Sequence, residues 1–426
     1  MSCLDLEALE NGVRRVAFRL AAQALEQRLN ADHSDEREVL CDGCRQPARY
    51  AGRKTKTFQS VLGPLQLQRA YYHCLACQQG FYPRDRAWGL EGGTLSPGVV
   101  RMVAAVGAAV SFQEGRQLLE ELAGLQVDAK QVERTAEALG REIDADEHIH
   151  VAPLASAPLP ATLYLGVDGT AVPMRAEEVA GRAGKQPDGS AKTREVKLCV
   201  VWSAEHRDSR GRPVRDPGSV SYSAAIESAA IQESNPTGSE FYQRVAREAT
   251  RRDFQKASRR AVVGDGAAWI WNLSQELYPD AIQIVDRWHV KEHFCQLGNL
   301  LYGAGSAQAH RWIERRFQQL DNGCFDGLLR AVTRHVPGCD AARKLLVYLK
   351  TNRHRMDYPR FEREGLCTSS GVVEAGCKVV IGARLKRAGM HWSRPGANAI
   401  MALRCCRLSG RFQDVWERRG DLRKAA

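Results

Sequence analysis

Three acidic residues of this chain stand where divalent metal ions could bind: Asp168, Asp265 and Glu374. Asp168 follows the apolar, strand-like run ATLYLGV, and Asp265 follows a second such run, RAVVG. Glu374 lies early in the helix-like segment SSGVVEAGCKVVIGARLK. Two aspartates at strand ends and one glutamate on a helix can share two divalent ions, which stabilise both the attacking and the leaving oxygen of a phosphoryl transfer. Carboxylate oxygens are also the protein ligands that Mg²⁺ prefers.

Each aspartate has a simpler interpretation as a turn former. Asp168 and Asp265 both precede a glycine, and Asp-Gly is a common turn dipeptide. Two such residues at corresponding strand ends, with a helical glutamate later, favour a shared site, because catalytic groups converge at one edge of such a sheet. Asp286 also ends an apolar run, AIQIV, and is the rival of Asp265 for the role of second acid.

The elements that must position these acids follow from the hydrophobic pattern after residue 160. Successive strand-like runs followed by alternating helices and strands predict a mixed sheet with helices on its faces. The predicted strands are 162–168, 195–203, 217–225, 260–264 and 281–286, and the predicted helices are 238–257 and 267–278. Residues 287–360 and 371–419 are predicted to be mostly helical. The Pro- and Ala-rich stretch HVAPLASAPLPAT marks a domain boundary near residues 150–160.

Two CxxC motifs about 30 residues apart precede this boundary and are typical of a zinc ribbon. Four thiolates can bind Zn²⁺ tetrahedrally, and the residues between the motifs predict a hairpin around Gly63. Free thiols without a metal are the alternative. The four candidate ligands are Cys41, Cys44, Cys74 and Cys77.

Helical patterns flank the cysteine motifs. Residues 1–35 predict an amphipathic helix, and residues 96–148 predict further helices. A turn at Gly124 separates two of these and is compatible with a helix-turn-helix whose second helix, from about Asp128, would enter a major groove. Simple helical packing or dimerisation explains the pattern equally well, because the segment carries several glutamates, whose negative charge does not favour close approach to DNA.

Composition sets the broad class of the protein. With 426 residues, 44% of them hydrophobic and 26% charged, the chain is expected to fold into two to four domains. No run approaches the ~20 apolar residues of a membrane span, and the acidic N-terminus does not resemble a secretory signal. The 13 cysteines are mostly scattered singly, which argues against a disulfide framework. We therefore expect a cytoplasmic protein.

The net charge of +11 is concentrated near the C-terminus. Residues 340–426 contain 19 lysines and arginines and 8 acidic residues, so the preceding residues hold 42 of each sign. A basic region attached to a neutral body is expected where a polyanion binds. A merely solvated basic surface is the alternative, but the position of Glu374 in this region favours nucleic acid.

Several linked motifs of the chain resemble those of bacterial insertion-sequence transposases of the ISKra group, which are similar to Mutator-like DDE transposases. The resemblance extends over nearly the whole chain from the cysteine motifs onward. The motifs are LGVDGTAVP, GRAGKQPDGSAKTREVK, GDGAAWIW, IQIVDRWHVKEH, NRHRMDYPRFEREGLCTSSGVVEAGCK, RLKRAGMHWSRPGANAIMALRCC and LSGRFQDVWE.

The resemblance implies an RNase H-like catalytic core with Asp168, Asp265 and Glu374 as the acidic triad. It also implies a helical insertion in the 109 residues that separate Asp265 from Glu374. In Mutator-like relatives a short motif ending in histidine lies where Asp286 and His289 stand, although Asp replaces the usual Cys. His289 would then contact the scissile phosphate or orient a metal ligand; a capped helix start with a packed histidine is the alternative.

Basic and aromatic residues near the triad are candidates for DNA contact. The loop that follows Asp168 is glycine-rich and basic, but its GRAGKQ sequence lacks the spacing of a phosphate-binding loop, which excludes nucleotide binding there. Its cations would instead meet the DNA backbone, and an aromatic residue beyond Glu374 could stack on a base, or be buried. The candidates are Lys185, Lys192, Arg194, Arg384, Lys386, Arg387, His391 and Trp392.

Together these features predict an α/β multidomain protein. Its expected parts are an N-terminal helix (1–36), a zinc ribbon (37–92), a helical domain with a candidate helix-turn-helix (93–150), the first part of an RNase H-like core (158–288), a helical insertion (289–365), and the second part of the core with the basic C-terminal region (366–426).

The expected function is that of a DDE-type DNA transposase of a mobile element, which binds transposon ends and catalyses DNA cleavage and strand transfer. Its expected cofactors are two Mg²⁺ or Mn²⁺ ions and a structural Zn²⁺ ion. Its expected partners are double-stranded DNA and further copies of itself, in a homodimer or larger assembly, with no membrane, in the bacterial cytoplasm near the nucleoid. Two alternatives stay open: a nuclease with the same core but no strand transfer, and a domesticated zinc-ribbon DNA-binding regulator.

Overall fold

The structure, a computed structural model, describes residues 5–31, 35–152, 158–184, 186–229 and 239–424, with side chains up to residue 421. The predicted linker lies partly outside these residues, at 153–157. The chain divides into two compact units: Met1–Leu139 together with Arg411–Ala426, and Gly140–Gly410. The residues after 410 thus belong to the first unit, whereas the sequence analysis grouped them with the second part of the core. Within the described ranges, no helix combines the length and apolar character that a membrane crossing requires.

The first unit is built from a four-stranded antiparallel sheet and helices. The strands are β1 (Glu38–Leu40), β2 (Pro47–Ser60), β3 (Gly63–His73) and β4 (Gly80–Phe81), paired in that order. The helices are α1 (Leu6–Asn30), α2 (Pro83–Ala87), α3 (Pro97–Ala109), α4 (Phe112–Ala123), the beginning of α5 (Ala129–Ile149), and α17 (Phe412–Lys424). The hairpin predicted between the cysteine motifs is β2–β3, and it turns at Gly63, whose φ of 122° suits glycine.

The predicted helical elements of this unit form, with local caps that explain their ends. Asp5 caps α1, since its side chain accepts a 2.7 Å hydrogen bond from the amide of Ala8. Ser111 caps α4 in the same way, and Gly124 ends α4 in the left-handed conformation, with φ of 68°. Helices α4 and α5 therefore flank the predicted turn at Gly124; their role as a helix-turn-helix stays a prediction.

The second unit contains a five-stranded mixed sheet, as the sequence predicted. Its order is β11–β10–β5–β6–β9, with β5, β10 and β11 parallel and β6 antiparallel to both of its neighbours. The strands are β5 (Thr162–Pro173), β6 (Thr193–Ser203), β9 (Ser221–Ala225), β10 (Arg259–Gly264) and β11 (Ile282–Val285). A separate small ribbon pairs β7 (His206–Arg207) with β8 (Pro213–Val214).

Helices surround this sheet and separate its last strand from the third acid. The first group is α6 (Ala176–Val179), α7 (Glu240–Arg251) and α8 (Ala268–Leu277). The group that follows β11 is α9 (Arg287–Tyr302), α10 (Ala307–Asp321), α11 (Phe325–Thr333), α12 (Asp340–Asn352) and α13 (Tyr358–Arg363). The predicted run of helices over residues 287–360 is therefore present.

The last part of the second unit is helical but interrupted. Helix α14 (Gly371–Gly376) continues as a π-helix (Cys377–Gly382), then α15 (Ala383–Leu385), and α16 (Arg394–Leu408) completes the unit. The sequence predicted that 371–419 is mostly helical, and the structure interrupts this stretch before α16 with a turn at Gly389, whose φ is 77°, and a bridge between Trp392 and Met174. The Trp392 amide donates a 3.2 Å hydrogen bond to the carbonyl of Pro173, and the Trp392 carbonyl accepts a 2.9 Å bond from the amide of Arg175.

Candidate active site

Strand register brings three aspartates to one edge of the mixed sheet. At one level of the sheet Gly166 of β5 pairs with Val263 of β10, and Val263 pairs with Ile284 of β11. Two residues beyond this level, each of the three parallel strands is followed or continued by an aspartate: Asp168, Asp265 and Asp286. The sequence placed Asp168 at the end of its strand. In the structure Asp168 lies within the strand, because β5 runs on to Pro173 along β6.

A cavity of about 190 Å³ opens at this edge. It is bordered by residues of β5, the ends of β10, the first turn of α9, and α14. The lining residues are Val167, Asp168, Gly264, Asp265, His289, Ser370, Val373 and Glu374. The three predicted acids and His289 thus line one cavity, although they come from segments up to 206 residues apart in sequence.

Asp168 is partly buried. One carboxylate oxygen accepts a 2.7 Å hydrogen bond from the Gly169 amide, and the other lies 3.4 Å from the sulfur of Cys377. Burial raises the pKa of Asp168 above its ordinary value, the bonds to Gly169 and Cys377 oppose that rise, and the negative charge of Asp265 adds to it. A bound cation would relieve both the desolvation and the repulsion.

Asp265 is held by its main chain and by the turn that follows β10. Its Oδ1 accepts a 2.8 Å hydrogen bond from the amide of Ala267, just before α8. Its carbonyl accepts a 2.8 Å bond from the hydroxyl of Tyr348, a residue of α12. Gly266 has φ of 99°, and a Cβ there would lie 2.5 Å from the Tyr348 ring, so this position requires glycine on both counts. The Asp-Gly pair is therefore both a turn and part of the cavity wall.

Asp286 has a different environment. Its side chain is buried and caps α9, with Oδ1 accepting a 2.8 Å hydrogen bond from the amide of His289. Its Oδ2 accepts a short bond from the amide of Ser370. Both oxygens therefore bind main-chain amides, and the carboxylate ties the start of α9 to the loop before α14. Asp286 does not line the cavity.

His289 fits both of the roles that the sequence left open. It belongs to the capped first turn of α9, and its ring packs edge-on against His293, with 4.7 Å between ring centroids. The same ring borders the cavity. Burial lowers the pKa of His293, and neighbouring His289 lowers it further, so a neutral His293 supports the ring of His289. His293 packs in turn on Tyr348, with ring centroids 4.8 Å apart.

Glu374 reaches the cavity from α14, and close packing of that helix on β5 sets its position. The preceding residue, Val373, is buried against Gly166, where an added Cβ would lie only 2.3 Å from a Val373 methyl group. Gly166 is thus a site residue that the sequence analysis missed; its only signal was a glycine inside the apolar run TLYLGV. The π-helix after α14 is held by Arg404, which donates to the carbonyls of Val379 and Val380.

The donor set of the cavity suits hard divalent cations such as Mg²⁺ or Mn²⁺. No hydrogen bond is found among the described residues for the second oxygen of Asp265 or for either oxygen of Glu374, so these atoms are available as ligands. In the described part of the chain, only the cysteine cluster has three or more ligand atoms gathered within 4.8 Å. The carboxylates of Asp168, Asp265 and Glu374 are thus not gathered around one point as the four cysteine sulfurs are.

Four of the eight predicted DNA-contacting residues are exposed. Lys192, Lys386, Arg387 and His391 are exposed. Lys386 lies close to the triad in the fold, because its ammonium group donates to the hydroxyl of Thr170, two residues after Asp168. Arg194 is partly buried, 3.9 Å from the carboxylate of Glu178. Lys185 lies outside the described residues.

Two of these predictions are wrong, because Arg384 and Trp392 are buried. The indole nitrogen of Trp392 donates a 3.0 Å hydrogen bond to the carbonyl of Leu385, so its ring is not available to stack on a base. The guanidinium of Arg384 lies over the Trp392 ring, 5.1 Å from its centroid. Both side chains hold the segment before α16 in place instead of contacting DNA.

The four predicted zinc ligands come together in the first unit. The sulfur atoms are 3.6 Å apart for Cys41 and Cys77 and 3.5 Å apart for Cys44 and Cys74, and all four lie within 4.8 Å of one another. A tetrahedral ion with Zn–S bonds of about 2.3 Å requires S–S separations of about 3.8 Å. The main-chain amide of Cys77 is the leading cause that lowers the pKa of Cys74 to about 7, which favours the thiolate. The four cysteines could therefore bind a structural zinc ion.

The two cysteine turns are built alike. The amide of Cys41 bonds to the carbonyl of Gln46, and the amide of Cys74 bonds to the carbonyl of Gln79, both at 2.8 Å. The residue after the second cysteine of each turn, Arg45 or Gln78, has a positive φ near 60°. This matching geometry presents the sulfur atoms of both turns toward one point.

Comparison with known proteins gives only a distant similarity. No protein-family model and no curated protein matches the chain. Among solved structures, the Drosophila P element transposase strand transfer complex is similar over 78% of this chain and 83% of that chain, with 10% sequence identity and a TM-score of 0.27. Similarity at that level establishes neither a shared fold nor a shared function.

Proposed function

We propose that the chain is a DDE-type DNA transposase that cleaves DNA at transposon ends and joins the freed ends to target DNA. The observation that carries this proposal is the single cavity lined by Asp168, Asp265 and Glu374. A strand, a strand end and a helix each supply one carboxylate to it, and the sequence motifs that contain these residues resemble those of insertion-sequence transposases.

In the proposed mechanism the three carboxylates hold two Mg²⁺ or Mn²⁺ ions, which when bound supply charge stabilisation and a more acidic water. The water attacks a phosphodiester at the transposon end, and the bond to the 3′ oxygen breaks, which leaves a 3′-hydroxyl group. That hydroxyl then attacks a target phosphodiester in line and displaces another 3′ oxygen. Phosphoryl transfer of this kind depends mostly on positioning and charge stabilisation, so no protein nucleophile is required.

The surroundings of the two candidate second acids support Asp265 for this role. Asp265 borders the cavity and has an oxygen without a hydrogen-bond partner among the described residues. Asp286 uses both oxygens on the amides of His289 and Ser370. In our proposal Asp286 is a positioning residue that fixes His289, and His289 orients the scissile phosphate from the rim of the cavity.

The mixed sheet with helices on its faces supports an RNase H-like core, and helices α9–α13 supply the proposed insertion. Within the second unit, ion pairs join the helices of this proposed insertion to one another. Asp321 of α10 accepts from both Arg287 and Lys291 of α9, at 2.8 Å each, and Arg287 also pairs with Glu362 of α13. The later helices of the insertion are therefore anchored to α9, the helix that carries His289.

DNA would lie across the exposed cations beyond the triad. We assign backbone contacts to Lys192, Arg194, Lys386 and Arg387, with His391 beside them, and Lys185 stays a candidate. Contacts of this kind make binding strongly dependent on salt. In the first unit, the zinc ribbon and helices α4 and α5 are proposed to bind the transposon ends.

The test is an assay of the full chain on DNA that carries the element's own ends, with Mg²⁺ or Mn²⁺ present. We expect wild type to nick the end and join it to a second duplex, and Glu374→Gln to bind the same DNA without nicking it. Glu314→Gln, which removes an exposed carboxylate remote in sequence from the triad, is the matched control and retains activity. Cleavage without joining would show a nuclease, and DNA binding without cleavage by wild type would show a regulator; either result contradicts the proposal.

A further inference from the structure

Helix α1 carries an apolar stripe that no described residue of its unit covers. The stripe's side chains are between 47% and 70% exposed. Its five residues are Leu6, Leu9, Val13, Val16 and Leu20. Exposed leucines and valines are ordinary when scattered singly, but a contiguous row of five on one helix marks an interaction surface.

The stripe is not the face by which α1 packs on its own sheet. Ala22, Leu25 and Leu29 pack against the β2–β3 hairpin, in a cluster with Phe58 and Leu65. At 3.6 residues per turn, these packing residues lie on the opposite side of the helix from the stripe. Most of the helix before residue 21 is exposed. Because a helical segment of this length is marginal in water without packing, the stripe calls for a partner.

The spacing of the stripe identifies the kind of partner. Successive stripe residues are three, four, three and four positions apart, which is the seam of a left-handed coiled coil. A helix partner with the same spacing fits this seam, and the same helix of a second copy has that spacing. A contact between identical faces also closes with two-fold symmetry and goes no further.

Charge along the helix selects the orientation of that second helix. Residues 5–12 contain three acidic residues and no basic ones: Asp5, Glu7 and Glu10. Residues 13–20 contain three basic residues and no acidic ones: Arg14, Arg15 and Arg19. Antiparallel helices would place the acidic end of one beside the basic end of the other, whereas parallel helices would place like charges together.

We propose that α1 of a second copy binds this stripe, and that the two helices form an antiparallel coiled coil centred on Val13. The chain would then be a dimer held at its first helix, before any DNA binds. This dimer does not depend on the proposed catalytic activity.

The experiment is sedimentation equilibrium of the full chain, without DNA, for wild type and the double variant V13E/V16E. We expect a wild-type dimer and a dissociation constant roughly 100-fold higher for the variant, since two central apolar contacts per helix are lost. Glutamate is a good helix former, so helix content and melting temperature should hold. Leu300→Glu, at a leucine of α9 that is 64% exposed, is the matched control and should leave the dimer unchanged.

A second measurement tests the orientation. Raising the salt concentration from about 0.1 M to about 1 M shortens the screening length from about 10 Å to about 3 Å, so an antiparallel dimer should weaken. Arg19→Glu should weaken it as well, and Arg19→Lys should not. A wild-type monomer, or a dimer that survives V13E/V16E, would overturn the proposal; a dimer that tightens with salt would overturn the antiparallel arrangement.

Discussion

The hydroxyl of Tyr348 donates a 2.8 Å hydrogen bond to the main-chain carbonyl of Asp265. Tyr348 belongs to α12, deep within the helical stretch that separates the second acid from the third. Its ring also fills the space beside Gly266 and packs on His293, which supports His289. The helical stretch therefore does more than connect two parts of the unit, because it buttresses one side of the cavity.

We predict that Tyr348→Phe lowers the rate of metal-dependent DNA cleavage by about 3- to 10-fold, which corresponds to the loss of one hydrogen bond. The reason is that Asp265 loses its main-chain anchor while the aromatic packing stays. Single-turnover cleavage, measured over a range of Mg²⁺ concentrations, should show weaker Mg²⁺ binding, so that half-maximal cleavage requires a higher Mg²⁺ concentration. Tyr302→Phe removes a comparable hydroxyl, which lies 3.3 Å from His335, and should leave cleavage unchanged. Equal losses in both variants would contradict the positioning role.

Substitution of the two rival aspartates should give opposite results. Asp265→Asn should abolish cleavage and leave the free energy of unfolding nearly unchanged, since its amide oxygen can still accept from Ala267. Asp286→Ala should destabilise the protein by about 2 kcal/mol, because the amides of His289 and Ser370 lose their acceptor. Urea unfolding and a cleavage assay on the same preparations distinguish these effects. If the Asp265→Asn protein still cleaves transposon ends, our assignment of the second acid is wrong.

The contact between β5 and α14 gives a prediction about the third acid. Gly166→Ala places a methyl group against Val373, and the overpacking should cost about 1–3 kcal/mol of stability. Because Val373 precedes Glu374, the displaced helix should also lower cleavage by about 10². Gly420→Ala, where an added Cβ meets no atom within 4 Å, is the control. Full activity of Gly166→Ala at a temperature where it stays folded would disprove this link.

Substitution of a cysteine in the cluster should change the zinc content and the stability of the first unit. Cys74→Ser should lower the zinc content from one ion per chain to none and destabilise the unit by several kcal/mol, since binding of a structural zinc contributes directly to folding. Zinc can be measured by elemental analysis, and the stability by thermal unfolding with and without a chelator. Cys324→Ser, at an exposed cysteine outside the cluster, should change neither quantity. Retention of zinc by Cys74→Ser would contradict the four-thiolate site.

The sequence predicted the strands of the second unit well, because β5, β6 and β10 each contain a short apolar run. The four-cysteine cluster was equally predictable, since its spacing is specific. Strand register, which aligns Asp168 with Asp265, could not be read from the sequence, because pairing depends on residues distant along the chain. The contact of Tyr348 with Asp265 was hidden for the same reason.

Burial was the other property that the sequence could not supply. Arg384 and Trp392 have residue types that suit DNA, and their neighbours Lys386 and Arg387 are exposed. The main chain of Trp392 bonds to Pro173 and its side chain is buried, and the guanidinium of Arg384 packs over the Trp392 ring. Which of these residues are exposed and which are buried depends on tertiary contacts, and these cannot be read from the sequence.

The most direct measurement of the central claim is strand transfer from a transposon end that has been cleaved in advance to expose its 3′-hydroxyl. If one cavity performs both steps, Asp168→Asn, Asp265→Asn and Glu374→Gln should each lose joining of this substrate as completely as they lose cleavage of intact ends. DNA binding and melting temperature should stay at wild-type values in all three. A variant that cannot cleave but joins the pre-cleaved end at the wild-type rate would contradict a single active site.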